Sequence, residues 1–146
     1  IQRRGWTVFA QQIVPDEIET IKLALLTWCD SEKIDIILTT GGTGFAPRDI
    51  TPEATLAVIE RSAPGLAEAI RATSLQTNLH AMLSRAVAGI RNHTLILNLP
   101  GSPKGAVESF NIVAAVLPHA VELLNEAPSA EAGHLSSLSS ETQTLI

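Results

Sequence analysis

Two periodicities alternate along the chain. Residues 6–14 (WTVFAQQIV) are rich in β-branched and aromatic side chains and stop at Pro15, which predicts a strand. From Glu17 the apolar positions Ile18, Ile21, Leu25 and Trp28 keep the i, i+3, i+7, i+10 spacing of one helical face, predicting a helix over residues 17–31. Ile36, Ile37 and Leu38 form a short continuous apolar run that ends in a glycine turn. That is the pattern of a central parallel strand covered on both faces.

Beyond the glycines, Thr51-Pro52-Glu53 supplies an N-cap hydroxyl, a proline at the first helical position and an acid in the first turn, so a helix is predicted over residues 52–62. Ala63-Pro64-Gly65 breaks it. Residues 66–85 (LAEAIRATSLQTNLHAMLSR) favour helix but lose register around residues 73–78, which predicts two helices with an irregular joint, ended by Gly89. TLILNL, residues 94–99, is the next strand. After it Pro100-Gly101 turns, Ser102 caps, Pro103 takes the first helical position, and an apolar helix follows that Pro118 restarts as far as Leu124.

The predicted order is β-α-β-α-α-β-α, an open, mostly parallel α/β sheet with helices on both faces in three layers. Right-handed crossovers bring the carboxyl ends of successive parallel strands to one edge, where open α/β sheets bind ligands. Three loops are expected there: residues 14–17 (VPDE), 39–51 and 98–102 (NLPGS). Residues 1–124 read as one domain. Residues 125–146, rich in Ser, Ala and Glu without periodicity, read as a disordered tail or linker.

Charge and composition narrow the partners. A net charge of −5, with no basic cluster beyond Arg3-Arg4, leaves no footprint for nucleic acid or an anionic membrane. The longest apolar run, residues 112–117, falls far short of the ~20 residues of a membrane span. The opening IQRRGWTV has no apolar core behind its charges, so no signal peptide is expected, and the single Cys29 gives neither a disulfide framework nor a thiolate cage. The expectation is a cytoplasmic protein with a small soluble partner. A mean hydropathy of +0.22 with 17% charged residues predicts an oligomer.

Candidate chemistry concentrates in TTGGTGFAPRDITPEAT, residues 39–55. No Lys-Ser/Thr follows the glycines, and Pro47 stands where a dinucleotide fingerprint needs its third glycine, so neither familiar phosphate loop is present. The loop is either a tight strand-to-helix turn or a cradle of backbone N–H groups for an anion. Asp49 beside such a cradle would repel a phosphate unless Mg²⁺ lay between them, and Asp16 offers a second carboxylate from the neighbouring loop. With Arg48, these residues suggest phosphoryl or nucleotidyl chemistry; the alternative is that Asp16 and Asp49 only cap or brace the helices that follow. His80, His93, His119 and His134 lack ligand spacing. Lys104 either meets phosphate at a helix start or is solvated, and Cys29 reads as a small buried hydrophobe.

ILTTGGTGFAPRDITPEAT, with MLSRAVAGIR and LILNLPGSPKGAVES downstream, resembles the MogA/MoaB/gephyrin G-domain family of molybdopterin adenylyltransferases over about residues 5–124. The resemblance implies a MogA/MoaB-like fold and Mg²⁺-dependent transfer of AMP from ATP to molybdopterin, giving adenylyl-molybdopterin and pyrophosphate for molybdenum cofactor biosynthesis. It implies Asp16 and Asp49 as the catalytic, Mg²⁺-handling acids and Gly41, Gly42, Thr43 and Gly44 as the nucleotide and pterin loop. It also implies Ser74, Ser84 and Arg85 on the pterin side, and Asn98, Pro100, Gly101 and Ser102 as the second binding loop. A homotrimer is implied, with a molybdenum insertase domain or protein as a further partner. Family members also begin with a strand and helix that have no counterpart here. Residues 1–5 read as the last turn of that helix with its glycine cap, so an N-terminally truncated sheet is expected. The alternatives within the resemblance are a gephyrin-like trimeric scaffold with weak or no catalysis and a MoaB-like pterin binder.

Overall fold

The computed structural model describes residues 5–126; the expected helical turn before Gly5, and the expected tail with His134, lie outside them. The elements are α1 (Ile18–Cys29), β1 (Ile36–Thr40), α2 (Thr51–Leu56), β2 (Arg61–Ser62), α3 (Pro64–Leu75), a 3-10 turn (Leu79–Leu83), β3 (Ala88–Arg91), β4 (Thr94–Leu99), α4 (Pro103–Val113) and α5 (Leu117–Leu124). Asn125 closes α5 and its side-chain amide donates to Asp35.

The sheet runs β1-β4-β3-β2. Only β1 and β4 are parallel; β3 is antiparallel to both β4 and β2, so the sheet is mixed. The reason is a two-residue hairpin: Arg91 pairs with Thr94, and between them Asn92 takes a left-handed φ of 50°, which Asn tolerates better than most side chains. Gly89, expected to end a helical region, instead lies inside β3, where a Cβ would press on Ile59 and the Arg61 carbonyl.

β4 is the strand buried along its whole length, and its alternating side chains divide the core. Leu95, Leu97 and Leu99 pack with Ile70, Phe110, Val113 and Leu117 beneath α3, α4 and α5. Ile96 points the other way, joining Ile37, Ile21, Leu25, Cys29, Ala54 and Val58 beneath α1 and α2. Helices therefore cover both faces, as the continuous apolar run of β4 requires.

Three expectations fail here. Residues 6–14 form no strand: they pair with no other segment among the described residues, and β composition creates a strand only where a ladder partner is present. Instead they face β1 across an open cleft of about 1440 Å³, with Trp6 anchored edge-on against Phe110 at 5.6 Å. Nor is β1 central: it ends the sheet of the described residues, and its side chains are mostly half-buried. The helix expected over residues 52–62 stops at Leu56, and Arg61–Ser62 turns out to be β2. No single described helix is long and apolar enough to cross a membrane.

Candidate functional site

Because β1 and β4 are parallel, both deliver their carboxyl ends to one edge. The register Thr40 to Leu99 sets the glycine loop after β1 beside the NLPGS loop after β4, and the Gly41 N–H extends the ladder by donating to the Leu99 carbonyl at 3.1 Å. There the two backbones touch: a Cβ on Gly101 would lie 3.2 Å from the Gly41 Cα. Gly41 has a φ of 95° and Gly42 a φ of 64°, left-handed values that favour glycine, and a Cβ on Gly42 would collide with the Thr51 hydroxyl.

The third loop arrives through an ion pair. Arg48 Nη2 lies 3.4 Å from Asp16 Oδ2, joining the VPDE segment to the segment that carries Asp49. Neither acid caps a helix. Position 17 precedes α1 and position 50 precedes α2, each without a side-chain cap bond. Asp49 instead closes a turn on itself: its N–H donates to the Ala46 carbonyl at 2.8 Å and its Oδ2 accepts from the Ala46 N–H at 2.9 Å. That carboxylate lies over Gly44, where a Cβ would stand 2.8 Å from Oδ2. Thr51, expected as an N-cap, is the first residue of α2, and its hydroxyl fills the space above Gly42.

The loop's donors divide sharply. The N–H groups of Gly41, Ala46, Asp49 and Thr51 are engaged, whereas those of Gly42, Thr43 and Gly44 meet no acceptor among the described residues. Ser102 caps α4 as expected, its Oγ accepting from the Gly105 N–H at 3.1 Å, and Pro103 follows at the helix start. Lys104 is exposed and lies 3.9 Å from Glu108.

The remaining expected residues hold the edge together from beneath or lie beside it. Asn98 is fully buried: its amide donates to the hydroxyls of Thr39 and Thr55, each at 2.9 Å, and its carbonyl accepts from the Val87 N–H at 3.3 Å. It ties β1, α2, β4 and the segment before β3 together under the loops, with none of its polar atoms left over. Arg85 donates to carbonyls of the glycine loop and pairs with Glu53. Ser84, its neighbour, accepts from the Ala86 N–H at 3.3 Å, and its carbonyl accepts from Arg71. Ser74 is at the end of α3, and its carbonyl bonds stay in its own turn, with Thr77 and Asn78, so no bond links it to the glycine loop. The Glu53–Arg85 pair escaped sequence reasoning: an acid in a first helical turn is visible, but its partner 32 residues away is not.

A three-layer α/β domain whose loops converge at the carboxyl edge of its parallel strands is the class that fold and site define. Residues 1–119 match the family described as "Probable molybdopterin binding domain", and the chain belongs to that family. It is 51% identical over 114 residues to the molybdenum cofactor synthesis protein cinnamon of Drosophila melanogaster, covering 78% of this chain and 19% of that one. It is 47% identical over 116 residues to a molybdopterin adenylyltransferase of Helicobacter pylori strain J99, covering 80% of this chain and 66% of the relative. Its fold resembles the crystal structure of the molybdopterin biosynthesis enzyme MoaB from Thermus thermophilus, with a TM-score of 0.78 at 56% identity, covering 84% of this chain and 77% of that one. The chain therefore spans about a fifth of the fly protein and just under two thirds of the bacterial adenylyltransferase.

Proposed function

We propose that the chain carries the core of a molybdopterin adenylyltransferase, transferring AMP from ATP to molybdopterin and releasing pyrophosphate. The observation that supports this reading most directly is the set of free donors at Gly42, Thr43 and Gly44, flanked by Asp16 and Asp49 on loops joined through Arg48. Unspent N–H groups on a glycine backbone suit phosphate oxygens. Two carboxylates beside them suit a hard cation shared with those oxygens.

Asp16 and Asp49 would hold Mg²⁺. The donor set fits this ion, which binds through one or two carboxylates plus substrate phosphates; among the described residues no cluster of three or more ligating side chains suggests a self-sufficient metal cage. When bound, the ion would neutralise charge on the triphosphate and its leaving group. The residues of the chain do the rest. The glycine loop orients the nucleotide phosphates through its N–H groups, and the Gly41–Gly101 contact fixes the distance to the second loop. In the reaction the terminal phosphate oxygen of molybdopterin forms a bond to the α-phosphorus of ATP. The bond from that phosphorus to the bridging oxygen breaks, and pyrophosphate leaves with the electron pair.

A homotrimer belongs to the same proposal, and exposed Leu79, Met82 and Leu83 on the 3-10 turn supply apolar surface for such contacts. The test is to incubate the chain with molybdopterin, ATP and Mg²⁺ and to measure adenylylated pterin and pyrophosphate. Stoichiometric formation of both, abolished by chelator, is expected. Tight binding of molybdopterin with no nucleotide binding would favour the pterin-binding reading instead.

A further inference from the structure

Arg85 bonds to four residues of one short stretch of chain. Its backbone N–H donates to the Thr43 carbonyl at 2.8 Å and its Nε to the Gly44 carbonyl at 2.7 Å. One terminal nitrogen donates to the Asp49 carbonyl and also lies 3.4 Å from the Glu53 carboxylate; the other pairs with the second oxygen of Glu53. The guanidinium is thus spent on the underside of the loop. A residue committed in this way is poorly placed to reach for a ligand of its own.

Peptide geometry gives these bonds a consequence. Each planar trans unit points its C=O and the following N–H in opposite directions, and no peptide bond among the described residues is cis. With the Gly42 carbonyl drawn to the Thr51 N–H at 3.1 Å, the Thr43 N–H must face the other way. Drawing the Thr43 and Gly44 carbonyls to Arg85 likewise turns the N–H groups of Gly44 and Phe45 outward. Those of Thr43, Gly44 and Phe45 meet no acceptor among the described residues. Glycines alone would leave these planes free to rotate.

We infer that Arg85 is a positioning residue: held by Glu53 from the first turn of α2, it orients the 43–44 and 44–45 peptide planes so that the N–H groups of Gly44 and Phe45 join that of Thr43 in one anion cradle. The inference rests on the proposed function for what fills the cradle, ATP phosphates, but the orientation of the planes is independent of it. Glu53 acts by fixing the guanidinium, and its own carboxylate faces Arg85 rather than the cradle.

The test uses Arg85→Gln, Arg85→Lys, Glu53→Gln and the double variant Glu53→Gln/Arg85→Gln. Two measurements are made on each: backbone amide resonances of Gly44 and Phe45 without ligand, and ATP affinity with Mg²⁺ by calorimetry, scaled to folded protein. Arg85→Gln should shift the Phe45 resonance more than that of Gly44, whose plane the backbone N–H at position 85 still holds, and weaken ATP by about 10-fold or more, the scale of groups that orient a binding shell. Arg85→Lys should recover little, because one ammonium cannot span the same acceptors. Glu53→Gln should weaken ATP in the native background and do nothing further once Arg85 is gone. If Arg85 were itself a ligand, Glu53→Gln would leave affinity unchanged or raise it, and Arg85→Gln would leave the ligand-free Phe45 resonance in place; either result overturns the inference. A lowered melting temperature with unchanged affinity per folded protein overturns it as well. Should the native chain bind no ATP, the functional reading fails, while the unliganded resonances still decide whether Arg85 orients the loop.

Discussion

Gly41 and Gly101, 60 positions apart, meet backbone to backbone: a Cβ on Gly101 would stand 3.2 Å from the Gly41 Cα. Two glycine turns that look alike in sequence are thus one joint between the loops after β1 and β4. Gly41 also has a φ of 95°, so alanine there meets backbone strain of about 1–3 kcal/mol. Gly41→Ala should lower the stability read from a urea melt by about that amount and abolish ATP binding by tilting the cradle. Gly101→Ala, free of a positive φ, should cost less stability yet still weaken ATP. Native affinity in both would remove the joint from the site.

The two acids should separate turnover from stability in different ways. Asp16 is half-exposed and paired only to an exposed Arg48, an arrangement worth about 0–1 kcal/mol. Asp16→Ala should therefore leave the melting temperature nearly unchanged while lowering kcat by about 10²-fold, the size of losing one preorganised electrostatic element. Asp49→Ala removes the acceptor of the Ala46 N–H as well, so it should lose both stability and turnover. Asp49→Asn keeps a carbonyl for that N–H and should recover the stability alone. Adenylylated product per folded protein, measured beside thermal melts, distinguishes these outcomes; normal turnover in Asp16→Ala would end its catalytic assignment.

Asn98 should behave as a core residue that happens to lie under the site. Its amide donates to the Thr39 and Thr55 hydroxyls and its carbonyl accepts from the Val87 N–H, the Thr55 bond buried and the other two partly so. Asn98→Leu removes the acceptor of the Val87 N–H and the donor to the Thr39 hydroxyl, while Thr55 keeps its bond to the Thr51 carbonyl; each group left without a partner costs about 1–3 kcal/mol. The expected result is a loss of several kcal/mol in a chemical melt, with ATP affinity of the surviving folded protein reduced only modestly. A stable variant that has lost ATP would instead make Asn98 a direct ligand.

Acid should loosen the clamp beneath the loop. The Arg85 hydrogen bond holds the Glu53 carboxyl below its ordinary pKa, against a smaller opposing effect of burial. A depressed folded pKa contributes stability above the unfolded value, about 4.3, and that contribution is lost as pH falls through the folded value. Stability of the native chain should therefore fall more steeply than that of Glu53→Gln below about pH 4.3. Parallel pH profiles of the two in urea melts would contradict the pairing. Because the Arg85 side chain is 35% exposed and that of Glu53 44%, solvent screens the pair and the difference will be small.

Much of this protein is written in local pattern. The apolar run at residues 94–99, the periodic face of α1, the Ser102-Pro103 helix start and the glycine turns each carry their structure in a few adjacent residues, because caps, turns and periodicity act over one or two turns of chain. So does the family, since TTGGTGFAPRD is a contiguous string. What tertiary structure alone decided depends on partners far apart in sequence. Residues 6–14 have strand composition but no ladder partner among the described residues; β3 joins antiparallel because Asn92 permits a two-residue return; β1 ends the sheet instead of centring it. The intramolecular bonds of Asn98 and Arg85 are likewise invisible in the string, since Thr39, Thr55, Val87, Gly44, Asp49 and Glu53 reach them only after the sheet has formed. Residue type limits which bonds a side chain can make, and only packing decides which partner is near enough to take them.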